Sequence, residues 1–191
     1  MYPKTRIMKF TLLLTLGLTT LLAAGCSSTS TKVDHGPIKA STFSFINIAG
    51  RPQPAYADQN AEAHKMIQDA ITADLAAHGV THVPSGGDVT VAYLVIAGNN
   101  ATTVSINDYF GYGRDNDVLG QIAHEKYTNN KNPNYFEAGT IVIDIIDAQT
   151  NKLLKRNYAT RPLLANPTAE ARAAQIQSAV NEALQGLRIG N

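Results

Sequence analysis

Two stretches constrain the fold more than anything else in this chain. VTVAYLVI, from Val89 to Ile96, is apolar nearly throughout, the pattern of a central strand covered on both faces or nearly so. GTIVIDIIDA, from Gly139 to Ala148, sends Ile141, Ile143 and Ile145 one way and Val142, Asp144 and Ile146 the other, again a strand. DAQTNK then makes a short turn, and LLKRNYAT returns as a hairpin partner. Lys155, Arg156 and Asn157 in the middle of that return strand predict a solvated face or an edge position. A further strand is expected in STFSFINIAG, around Phe43 and Phe45, ended by Gly50 and by Pro52 and Pro54.

Two segments carry the helical period instead. From about Asp58 the residues Ala63, Met66, Ile67, Ala70, Ile71 and Asp74 or Leu75 recur at three- and four-residue spacing, with Asp58 as cap and Gly79 as C-terminal stop. Near the end, Pro167 precedes a stripe of Ala169, Ala173, Ile176, Val180, Ala183 or Leu184, and Leu187, which predicts a helix from Thr168 to about Leu187. Amphipathic stripes need a surface to cover, and the strands supply it. The expected fold is therefore α+β: a two-layer sandwich with a four- to five-stranded, mainly antiparallel sheet and two amphipathic helices on one face. Between the strands lies an insert at about 99–138, rich in Asn, Tyr, Gly and Asp, long for a connection inside a compact domain. Within it TTVSI is a candidate extra strand and DVLGQIAHEKY a candidate short helix.

The front of the chain has a different character. Lys4, Arg6 and Lys9 precede an uncharged, mostly apolar run from Phe10 to Ala24, about 15 residues where about 20 are needed to span a hydrocarbon core. It leads through Ala23, Ala24 and Gly25 into Cys26, the one cysteine of the sequence. LLAAGC resembles the lipobox of bacterial lipoproteins. That resemblance implies a leader over residues 1–25, lipidation of Cys26, and a membrane partner reached through the lipid anchor. Ser27 after the cysteine implies the outer membrane, facing the periplasm, in a Gram-negative cell. Residues 26–39, small and polar with a break at Gly36-Pro37, read as a tether, leaving 40–191 as a single domain. Losing residues 1–25 removes three cations and no acid, which lowers the formal balance from +1 to −2. Such a domain is not expected to bind nucleic acid, which calls for clustered Lys and Arg. With a single thiol in the chain, no intrachain disulfide forms and packing alone must hold the fold.

FSF in the first strand, DVTVAY in the second and GTIVIDIIDAQTNKLL around the hairpin turn, taken in this order with the insert and the terminal helix, resemble the domain of unknown function 4136 family of bacterial lipoproteins. That family commonly places a tryptophan after the hairpin turn, where this chain has Lys155 and no Trp anywhere. It has no established activity, so the resemblance implies a fold and a cellular address rather than a reaction.

Motifs with chemistry of their own are incomplete. DNDVLG, Asp115 to Gly120, begins like a calcium loop but has Leu119 and Lys126 where oxygen ligands are required. His124-Glu125 lacks the second histidine of a zinc-protease helix, since Thr128 stands there. GYGR lacks the third glycine of a dinucleotide loop. No cofactor, metal or catalytic residue is expected, and the expectation is a protein that is not an enzyme. The aromatic residues Tyr109, Phe110, Tyr112, Tyr127, Tyr135 and Phe136 are candidates for a binding surface toward an envelope protein partner, with packing of the insert over a sheet face as the alternative. Two other functional expectations stand beside the binding module: an envelope hydrolase using acidic and histidine residues of the insert, and a carrier of a small apolar ligand between sheet and helices.

Overall fold

A computed structural model describes residues 32–50, 52–98, 101–111 and 135–190. At its centre six strands form one sheet: β1 (Val33–Asp34), β3 (Thr42–Phe45), β4 (Thr81–His82), β5 (Val89–Ile96), β8 (Thr140–Asp147) and β9 (Leu153–Thr160). Their order across the sheet is β1-β9-β8-β5-β3-β4. The neighbours β1/β9, β9/β8 and β8/β5 run antiparallel, whereas β5/β3 and β3/β4 run parallel. The sheet is thus mixed and larger than the four- to five-stranded, mainly antiparallel one expected. The parallel half arises because the helix α1 (Ala61–Ala77) is a crossover between β3 and the next strands, a connection that returns the chain in the same direction.

Two short pairs lie outside the main sheet. The strand β2 (Ile38–Lys39) runs parallel to β10 (Ile189–Gly190), and β6 (Ala101–Thr102) pairs antiparallel with β7 (Tyr135–Phe136). Residues 33–39, read from sequence as tether, therefore belong to the fold: β1 adds an edge to β9, and β2 holds the last strand.

The helix α1 begins at Asn60, whose Oδ1 accepts from the Ala63 N–H at 3.1 Å. Asp58, the expected cap, instead accepts from the Asn60 N–H and shapes the turn before it. At the other end Val80 donates to the Leu75 carbonyl and Gly79 to that of Ala76, with Gly79 at φ +78°, the double bond of a Schellman stop. Helix α2 spans Thr103–Phe110 and helix α3 Ala169–Leu184, the latter capped by Thr168. TTVSI thus leaves only Thr102 in a strand and runs as helix from Thr103.

Both faces of the sheet carry a core. On one, Val89, Val91, Ile141, Ile143 and Ile145 meet Ile67, Ile71 and Leu75 of α1 and Val180, Ala183 and Leu184 of α3. Each Val, Ile and Leu side chain among them contributes about 1.5–3 kcal/mol when fully buried. On the other, Ala92, Leu94, Ile96, Val142 and Ile146 meet Ala57, Ile106, Phe110 and Phe136. The two long helices share one face, as expected, but α2 and β7 of the insert build a further layer on the opposite face.

The return strand β9 also departs from expectation. Arg156 lies directly opposite Asp144 and both side chains are fully buried, with Arg156 Nε donating to Asp144 Oδ1 at 2.7 Å and Nη2 to Oδ2 at 2.5 Å. Lys155 points to the helix face, donating to the Gly186 carbonyl at 3.2 Å and to Asp34 Oδ2 at 3.3 Å. A mid-strand charge that finds a cross-strand partner is buried, not solvated.

Candidate functional site

The sheet and the two long helices do not close at one end. There the chain leaves β5 and β9 and enters β8, while α1 and α3 both begin. Between them lies a cleft of about 220 Å³ with an apolar floor of Ala63, Ile67, Val95, Ile141, Ile176 and Ala179. The first turns of α3 are left uncovered here: Ala169 and Ala173, expected in the buried stripe, are exposed, and burial begins at Ala179.

Its rim is polar and already ion-paired. Arg161 donates to Glu182 Oε2 at 2.6 Å, and Arg172 stands 3.6 Å from Glu62. Gln175 donates to the Pro162 carbonyl at 2.8 Å and so ties the Arg161–Pro167 loop to α3. Gly139 lets this loop approach. It sits at φ +88°, and a Cβ there would meet the Arg161 carbonyl oxygen at 2.0 Å. From that loop Leu163 and Leu164 project over the mouth of the cleft at 56% and 47% exposure.

A larger hollow of about 410 Å³ lies at the C-terminal end of β3, but Ser44, Asn47, Ser85 and Asn151 contribute to its wall and it borders Gly111, the last described residue before the insert continues. The Leu-lined cleft is the apolar one of the two.

The expected aromatic surface separates into parts. Phe110 and Phe136 are buried at 2% and 1%, and Phe136 packs edge-on against Tyr158 with ring centroids 5.1 Å apart. Both belong to the second core. Tyr109 is half-buried beside Phe110, its hydroxyl donating to Gln53 Oε1 at 2.8 Å. Tyr135 pairs through its backbone with Thr102. Tyr112 and Tyr127 lie outside the described residues, as do Cys26, Asp115, His124 and Glu125.

The titratable groups are set by local structure. Burial pushes the Asp144 carboxyl above its ordinary value, opposed by the hydrogen bonds and charge of Arg156. Asp88 is held below the usual carboxylate range by the backbone N–H groups of Ser41 and Thr42 and by the Thr42 hydroxyl. Burial raises Asp74, opposed by His78. The histidines are dispersed: His64 Nε2 donates to the Asp58 carbonyl at 2.8 Å, and His82 packs on Phe43 and Phe45. Among the described residues no group of three or more His, Cys, Asp and Glu side chains could hold a metal ion, and no helix is long and apolar enough to cross a membrane.

No signal in the sequence alone marks the cleft, whose floor residues look like ordinary core positions. The LL of RPLLANP is the one local hint: paired leucines between prolines, in neither periodic pattern.

No curated protein matches this chain. Among solved structures it is similar to a PelC dodecamer from Paraburkholderia phytofirmans, at 11% identity over 83% of this chain and 95% of that one, with a TM-score of 0.46. It is also similar to a PDZ domain protein from Parabacteroides distasonis, at 16% identity over 74% of this chain and 31% of that one, with a TM-score of 0.39. Both scores are too low to carry a fold assignment. The family described as Domain of unknown function (DUF4136) matches residues 29–187, from before β1 to past α3, and the chain belongs to that family.

Proposed function

We propose that this protein is a lipid-anchored, non-enzymatic binding module of the cell envelope, fixed through Cys26 to the outer membrane on its periplasmic side. Its binding site is the cleft between α1, α3 and the sheet, and its ligand is a short apolar group. The observation that carries the binding role is the open apolar floor under Leu163 and Leu164, a feature a merely structural sandwich would close. The volume of about 220 Å³ is below the roughly 300–1,000 Å³ of pockets for drug-sized ligands. It therefore suits an acyl segment or one or two apolar side chains of a partner. The anchor reading is supported by the basic, apolar and small-residue order that ends in LLAAGC.

Each half has its own test. A polarity-sensitive apolar fluorophore should brighten on binding the wild type and not Ala179→Phe, which fills the floor, or Ile176→Asp, which makes it polar. Far-UV circular dichroism controls for folding, and equal brightening in folded variants would overturn the site. Radiolabelled palmitate should enter the wild type in a bacterial host and not Cys26→Ala; label retained in that variant would remove the anchor.

A further inference from the structure

The chain enters the fold in a direction that bears on how the domain sits. The edge strand β1 is antiparallel to β9, with Val33 opposite Arg156 and Asp34 opposite Lys155. Tracing the chain backward from Val33 therefore moves along β9 toward Thr160. Lys32 has the same heading, since its Nζ lies 5.0 Å from the centroid of the Tyr158 ring. Thr160 leads directly into the Arg161–Pro167 loop, about 10 Å further on at the rise of a strand. Six residue steps separate Cys26 from Lys32, a contour of at most about 20 Å. Turning back to the level of the β8–β9 turn would consume more than half of that.

At this same end stand Leu163 and Leu164, the large apolar side chains left exposed among the described residues. Adjacent exposed leucines on a loop tip, with the Arg161–Glu182 ion pair at its base, are suited to an interfacial depth of about 5–10 Å, where apolar tips enter the acyl boundary and the polar base stays in the headgroup layer.

We propose that the Arg161–Pro167 loop is a membrane contact: in the anchored protein Leu163 and Leu164 seat in the phospholipid surface, and the mouth of the cleft faces the bilayer. This rests on the anchorage at Cys26 proposed above. A short tether alone would leave the domain free to tumble against the membrane, whereas the second contact gives it one orientation. The chemistry recognised is that of a lipid surface, through apolar insertion rather than a headgroup-specific pocket.

Because Cys26 is the one cysteine of the chain and carries the lipid, an introduced thiol is uniquely addressable. Leu163→Cys, Leu164→Cys and, at the opposite end, Gln149→Cys are labelled with a polarity-sensitive fluorophore. The full-length, processed protein is then reconstituted in phosphatidylcholine vesicles containing spin-labelled phosphatidylcholine. The labels at 163 and 164 should shift to the blue and be quenched by the spin-labelled lipid, while the label at 149 stays water-like and unquenched. Both leucine positions are exposed, so the folded state is kept. Palmitate-labelled protein that floats with the vesicles, yet whose 163 and 164 labels are as water-exposed as that at 149, overturns the membrane contact and leaves the anchor standing. Protein that neither takes palmitate nor floats overturns both.

Discussion

Replacing Arg156 by methionine probes the most consequential pairing in the sheet. Asp144 and Arg156 face each other across β8 and β9 with both side chains fully buried. Arg156→Met keeps much of the apolar stem but leaves a buried carboxylate without its counter-charge. Breaking a buried pair in this way costs about 3–5 kcal/mol. With a urea slope of about 1–3 kcal/mol/M, the unfolding midpoint should fall by about 2 M. The pH dependence follows from the direction of the Asp144 shift. Burial already raises that carboxyl above its ordinary value of 3.8, and loss of Arg156 raises it further. A raised carboxyl pKa means that the native state holds its proton more tightly than the unfolded chain. The penalty is therefore full above the folded value and vanishes below 3.8. The deficit of Arg156→Met should shrink as pH falls from neutral toward 4. The double variant Asp144→Leu/Arg156→Met, with no buried charge, should recover most of the loss. Urea titrations followed by far-UV circular dichroism at several pH values test all three points. A midpoint within about 0.3 M of wild type, flat with pH, would refute the account of this pair as a mutually dependent buried unit.

Three other outcomes are expected. Phe136→Ala should destabilise by about 3–5 kcal/mol by opening a cavity in the second core; a loss below about 1 kcal/mol in thermal or urea unfolding would mean that the insert does not complete that layer. Gly139→Ala should cost about 2–4 kcal/mol, since the new methyl meets the Arg161 carbonyl oxygen and the backbone sits at positive φ, and wild-type stability there would discount the close approach that shapes the cleft. Asp88 has a lowered folded pKa, so its contribution is present above the ordinary carboxylate value and lost as pH falls through the folded one; Asp88→Asn should flatten the acid limb of the urea midpoint between neutral pH and pH 3, and an unchanged limb would dismiss the link from Asp88 to Ser41 and Thr42.

How much could be read in advance depended on the range of the interactions involved. VTVAYLVI became the central β5 because a strand apolar nearly throughout has no face to give to water. The stop at Gly79 and the start of the last helix just after Pro167 are set within one turn of backbone, and such signals are local by nature. The hairpin turn behaved likewise, Asp147 Oδ1 accepting from the N–H groups of Gln149 and Thr150. By contrast, Lys155 and Arg156 looked solvated because their partners lie elsewhere: Asp144 across the strand, and Asp34 at a sequence separation of 121 residues. The same limit applies to Phe110 and Phe136. Aromatic residues in a loop-like stretch look alike whether they bind a partner or fill a core.

The sequence by itself determined the long elements of this protein: the strands β5, β8 and β9, the helices α1 and α3, and that these two helices share one face of a sheet. Those properties rest on periodicity and on hydrogen bonds closed within a few residues. Only the tertiary structure decided that the sheet is mixed and six-stranded, that Val33–Asp34 forms its edge, that an arginine and an aspartate are buried at its centre, and that one end stays open under two leucines. Each of these depends on which distant segments meet, and a one-dimensional pattern of apolar and polar residues carries no record of that distance.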